Sequence, residues 1–229
     1  MMRPLTIVLM LAVADWRRLT PNIVTTGSIV AKLGGAALVA IDHREHAIAA
    51  ALLIQLGVLL DHLDGTIARY RRCGTAFGSY YDKVSDAVTW LAICAAIGWA
   101  SYKDVGEVAL VFAVMTSACA LMVMGYVKWV AATAELEAGR PRSWAVTSYA
   151  PPARTRAEWV VWFFSSIVRA VKFEEVDLFF WVGVGLVVDR LDLLIWLLFI
   201  SQGIQVVVMI VIRGVQVRAI DVAKRRTIP

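Results

Sequence analysis

Four aspartates, Asp61, Asp64, Asp82 and Asp86, recur at helical intervals, and carboxylates in that pattern are suited to holding divalent cations. Gly65 and Ala68 follow Asp61 by four and seven residues, and Asp64 by three, so a helix brings all four residues to one face. Gly78, Asp82 and Asp86 repeat every four residues and make a matching stripe on the helix that follows. A tight connection makes these helices antiparallel neighbours, so the four carboxylates can converge. Left unneutralised they would repel, and a carboxylate near hydrocarbon costs on the order of several kcal/mol, which argues for bound cations. An all-oxygen ligand set favours Mg2+ or Mn2+. Two such ions held about 4 Å apart by shared carboxylates would clamp a diphosphate and stabilise both the attacking and the leaving oxygen of a displacement at phosphorus. Gly65, Ala68 and Gly78 add no bulk on these stripes, so a phosphate or nucleotide can approach the backbone, and Arg69 offers it a planar fork. A single such acid would read as a solvated helix end. The whole pattern, with Gly and Ala at these intervals, does not.

The elements that must position these residues are membrane helices. Of 229 residues 60% are apolar and 18% charged, with a mean hydropathy of +0.70, too apolar for a soluble chain of this length. Apolar stretches near 22–41, 47–68, 84–101, 107–134, 176–190 and 193–216 predict an all-α integral membrane protein with six transmembrane helices. Basic residues crowd the segments on one side, whereas only Arg44, Lys103 and Arg190 fall on the other. The first side, with the aspartates and both termini, is therefore expected to be cytoplasmic. The net charge of +5 follows from this asymmetry, and no nucleic-acid partner is expected.

Residues 1–19 read as an interfacial amphipathic helix rather than a cleavable signal peptide. Cleavage after Ala14 would send Asp15-Trp16-Arg17-Arg18 outward and invert every later span. Thr20-Pro21-Asn22 opens the first span with capping chemistry. Residues 135–175 read as a cytoplasmic insertion within a single membrane-embedded domain, 1–229, and the apolar run Trp159 to Val168 as an interfacial helix too short to span. Cys73, Cys94 and Cys119 show no metal or redox spacing. His43, His46 and His62 are not expected to be ligands. Lys32 lies about 15 Å along the first span. Such a residue faces a polar cavity such as the aspartate site, pairs elsewhere, or snorkels.

Asp61 to Asp86 match D-x2-D-G-x2-A-R-x8-G-x3-D-x3-D at all eight fixed positions, a pattern that resembles the signature of the CDP-alcohol phosphotransferase family. The resemblance covers 26 of 229 residues, and the six-span layout and Thr20-Pro21-Asn22-x2-Thr25 are also similar to that family. It implies two divalent ions, Mg2+ or Mn2+, with Asp61 and Asp82 each ligating both, Asp64 the first and Asp86 the second. It implies that Asp86 is the base for an acceptor hydroxyl. Gly65, Ala68, Arg69 and Gly78 would hold the cytidine diphosphate, aided by Thr75 and the segment Asn22 to Thr25. The implied donor is CDP-diacylglycerol, and the products are a phosphodiester lipid and CMP. The implied assembly is a homodimer.

The acceptor is read from weaker signs. Lys128, Arg154 and Arg156, with Arg140 and Arg142, suit either a basic pocket for an acceptor carrying its own phosphate or an anchor for anionic headgroups. Phosphatidylglycerophosphate synthases that resemble this family often carry a Gly-Lys-x-Lys-Thr stretch after span four. None occurs here, which favours an inositol phosphate or another polyol phosphate over glycerol 3-phosphate. The competing readings are an aspartate-rich prenyltransferase, which would need two distant acidic motifs, and an inactive or ion-binding membrane scaffold.

Overall fold

The computed structural model describes residues 2–16, 18–139, 155, 158–159, 161 and 178–226. Among them are seven helices and no strand: α1 (Met2–Val13), α2 (Pro21–Asp42), α3 (Ala47–Tyr70), α4 (Ala76–Val105), α5 (Val108–Glu137), α6 (Leu178–Val187) and α7 (Leu191–Arg226). Five of them, α2 to α5 and α7, are long and apolar enough to cross a bilayer, as expected of a multi-pass membrane protein. The expected fifth span is represented by α6, a shorter apolar helix of 10 residues. Most of the expected 135–175 insertion, including most of the expected interfacial helix from Trp159 to Val168, lies outside the described residues.

Two boundaries differ most from the hydropathy reading. α4 begins at Ala76, eight residues before the apolar run at 84, because Thr75 caps it: the Thr75 hydroxyl accepts from the Gly78 amide at 2.9 Å. Its first two turns carry Tyr80, Asp82 and Lys83, which are helical without being apolar. α7 likewise continues beyond 216 into its basic end.

The bundle is tied at both ends and tightest between α2 and α3. The packed core draws on α2 to α7, with Val39, Ile54, Ile93, Ile97, Val114, Val182 and Ile195 each wholly shielded. It occupies the half of the bundle where α2 ends and α3 begins. At that end Arg44 reaches both Asp104 and Asp189 at 3.2 Å, and Lys103 donates to the carbonyls of Ala40 and Ile41 at 2.9 Å. The opposite half of the α2–α3–α4 unit, where the aspartates lie, is left for chemistry. There Met10 of α1 packs with Leu63 and Ile67 of α3 and Val24 of α2. Arg71, the cap of α3, donates to the carbonyls of Val13, Ala14, Trp16 and Leu19, gathering acceptors at the end of α1 and in the turn that follows it. One guanidinium thus fastens the N-terminal helix beside the site.

Candidate active site

The aspartates reach one another through the α2–α3–α4 unit. Carboxylate oxygens of Asp61 and Asp64 on α3 and Asp82 on α4 lie within 4.8 Å of one another, close enough to share a cation. Asp86, one turn deeper on α4, is not in that group. Its Oδ1 accepts from Lys32 Nζ at 2.9 Å, and the same ammonium donates to Asp61 Oδ1 at 3.0 Å. Of the readings open for Lys32, pairing within the aspartate site is therefore the one observed. Neighbouring hydroxyls complete the shell. The Thr25 hydroxyl donates to Asp64 Oδ2, and the Ser28 hydroxyl lies 3.4 Å from Asp61 Oδ1. Asp64 and Thr25 are both buried, so this bond fixes a carboxylate in place rather than merely solvating it.

The hard oxygen donors fit a divalent ion. Three carboxylates of like charge have no basic side chain bonded to all of them, and Lys32 reaches only Asp61 of the three. A second candidate group, His43, Asp104 and Asp189 at the other end of the bundle, differs because Arg44 already bridges its two acids. It lies at the opposite end of the bundle from the aspartates.

Beside the triad opens a cavity of about 790 Å3, lined by Asp64 and Asp82 together with Asn22, Thr25, Gly65, Ala68, Arg69, Thr75 and Gly78. All seven residues expected on the donor side thus face one space. The local fold explains several of them. Gly65 leaves room for Arg69, since a Cβ there would sit 3.1 Å from Arg69 Nη1, and the guanidinium lies back along its own helix. Gly78 is crowded in the same way by Thr75 Oγ1 at 3.1 Å and Asn22 Oδ1 at 3.3 Å. The N-termini of α2 and α4, with their caps Thr20 and Thr75, both open into the cavity. Their unpaired amides and positive dipole ends favour an anion there.

The sequence reading missed Arg72, Ser79 and Lys83 in the same wall. Arg72 is a non-glycine residue with φ of 52°, a left-handed conformation that aims the chain between α3 and α4. No spacing rule marks a loop residue of that kind. Lys128 is half-buried on α5 and is not part of the cavity lining, while Arg154 and Arg156 lie outside the described residues.

The model of the family described as CDP-alcohol phosphatidyltransferase matches residues 18–188. A Corynebacterium glutamicum protein named phosphatidylinositol phosphate synthase is 37% identical over 112 residues, which are 48% of this chain and 50% of that one. An uncharacterised Aquifex aeolicus protein is 35% identical over 103 residues, 43% of this chain and 50% of its own. The chain thus spans about half the length of the curated relatives it matches. Among solved structures, the Mycobacterium tuberculosis phosphatidylinositol phosphate synthase with CDP-DAG bound has the same fold. Its TM-score is 0.57 at 24% identity, covering 95% of this chain and 93% of that one.

Proposed function

The chain belongs to the CDP-alcohol phosphatidyltransferase family, and from that premise we propose that it moves a phosphatidyl group from CDP-diacylglycerol to a polyol phosphate, releasing CMP. The observation that carries this reading is the aspartate triad at the edge of a cavity whose wall also presents Arg69, Arg72, Lys83 and two helix N-termini. Such a space suits a nucleoside diphosphate: anionic in the middle, with backbone on both sides.

In this reading Asp61, Asp64 and Asp82 would hold one divalent ion, Mg2+ or Mn2+, and Asp61, Asp82 and Asp86 would hold a second. Bound there, the ions would neutralise the diphosphate and stabilise CMP as it leaves. Thr25 holds Asp64 in position, and Arg69 and the α4 amides orient the diphosphate for in-line attack. Asp86 is 46% exposed at its side chain, so a carboxylate oxygen not taken up by the ion can accept the acceptor's proton. The acceptor oxygen bonds to the donor's β-phosphorus as the bond to CMP breaks.

The likeness to a relative named phosphatidylinositol phosphate synthase supports an inositol phosphate as acceptor, with glycerol 3-phosphate the alternative. Lys128, Arg154 and Arg156 would form its pocket. The test is an assay of purified protein with CDP-diacylglycerol, Mg2+ or Mn2+, and a panel of alcohols, reading CMP and lipid product by mass. Product with inositol phosphate is expected. Absence of CMP with every acceptor would instead favour an ion-binding scaffold.

Arg72→Gly provides a second check. Glycine adopts a φ of 52° freely, so stability should hold or rise by about 1 kcal/mol, while the donor KM should rise about tenfold through loss of a charged contact. An unchanged KM would remove Arg72 from the donor site.

The same proposal includes six spans in a single domain, the site and both termini on the cytoplasmic side, and a homodimer. Residues 1–19 would lie on the membrane surface, a reading supported by Val8 and Leu11, which are exposed on the side of α1 away from Met10.

A further inference from the structure

Lys32 is the one basic side chain among the described residues that is bonded directly to the aspartate cluster, and its surroundings are built around it. It is 2% exposed, with its ammonium 2.9 Å from Asp86 Oδ1, 3.0 Å from Asp61 Oδ1 and 5.3 Å from the centre of the Phe179 ring. Its stem fills the space left by Gly57, where a Cβ would lie 2.5 Å from Lys32 Cγ. Burying an ammonium this deeply is costly unless it is paired, and here it is paired twice.

The two oxygens it binds belong to the second ion position of the proposed function, on which this inference rests. A divalent ion coordinated by Asp61 and Asp86 would need oxygen donors at about 2.0–2.2 Å. The ammonium stands between those same carboxylates at ordinary ion-pair distance, so a divalent ion placed there would meet a like charge that already neutralises both acids. In the group Asp61, Asp64 and Asp82, by contrast, Lys32 is bonded to Asp61 alone, and two of the three carboxylates are free of it.

We propose that Lys32 holds the second cation position of this site, so that a second divalent ion binds only by displacing its ammonium from Asp61 and Asp86. The two ion sites are consequently unequal: the first fills on a preformed triad, and the second competes with a charge carried by the protein itself. Phe179, beneath the ammonium and on α6, is the neighbour toward which the displaced side chain can turn while keeping a favourable contact with its charge.

The test is titration of the full chain in detergent with Mn2+ alone, following the six-line resonance of free Mn2+ and the broadened signal of two coupled ions. Wild type should bind one Mn2+ tightly and a second at least tenfold more weakly. Lys32→Met keeps the stem and removes the charge. It should bring the second site to within about threefold of the first, with the first changed by less than about threefold. Lys32→Gln, which retains donors to the carboxylates, should shift the second site in the same direction and serves if the Met variant does not fold. Two equal sites in wild type, or a second site no tighter in either variant, would overturn the role of Lys32 and leave the proposed transferase standing if CMP is still released. No Mn2+ bound by wild type at all would instead defeat the metal-dependent reading of the site, and this inference with it.

Discussion

Asp82→Asn should abolish CMP release while leaving the protein folded. Asp82 is the α4 member of the triad and, like Asp64, also lines the cavity, so it links the ion site to the donor's position. Asparagine preserves its size and one carbonyl oxygen but removes the charge. If bound ions supply several kcal/mol of stabilisation to the leaving phosphate, a defective site loses about a thousandfold in rate, at about 1.4 kcal/mol per factor of ten. The effect on stability should have the opposite sign. In EDTA the triad consists of like charges within 4.8 Å, so removing one relieves repulsion, and the variant should melt at or above the wild-type temperature. CMP release measured beside a melting curve separates the two effects. Retention of more than about a tenth of wild-type turnover would exclude Asp82 from the ion site.

Gly57→Ala should be the most damaging of the single-methyl substitutions in the bundle. A Cβ at Gly57 would meet Lys32 Cγ at 2.5 Å, the Ser28 carbonyl oxygen at 3.0 Å and the Lys32 amide nitrogen at 3.1 Å. The first contact belongs to a side chain anchored at its far end by two ion pairs, and the other two belong to the α2 backbone. None can step aside by changing rotamer, so α2 and α3 must separate. Overpacking of this kind costs about 1–3 kcal/mol, more than the gain of up to about 1 kcal/mol from replacing glycine in a helix. Gly125→Ala on α5 is the matched control, because a Cβ there meets nothing within 4 Å and only the helix-propensity gain remains. Melting in detergent should fall by several degrees for Gly57→Ala and hold or rise for Gly125→Ala. The close-packing account fails if the two variants melt alike.

Much of the site could be read before any tertiary contact was known, because its pattern is local. Asp61, Asp64, Gly65 and Ala68 share a face through the 3.6-residue turn alone, and Gly78, Asp82 and Asp86 do the same on α4. The five long helices were visible for a similar reason, since a bilayer demands a continuous apolar stretch whatever its neighbours are. Hydropathy failed at the start of α4, where a capped polar turn is helical without being apolar. Of the fifth expected stretch, 176–190, the described residues include the 10-residue α6.

What only the tertiary structure decided depends on how one helix is rotated and pressed against the next. Four aspartates on two stripes do not say that three gather while Asp86 turns to Lys32, or that Thr25 secures Asp64. Lys32 could have faced a polar cavity such as this one, paired elsewhere or snorkelled; in the fold its stem packs at Gly57 and its ammonium pairs with Asp61 and Asp86. Arg71 looked like one more basic residue on the cytoplasmic side, yet it fastens α1 because four carbonyls happen to end within its reach. Periodicity along one helix follows from backbone geometry and is written in the order of residues. Register between helices follows from side-chain volume and burial summed over many contacts, and no single stretch of sequence contains it.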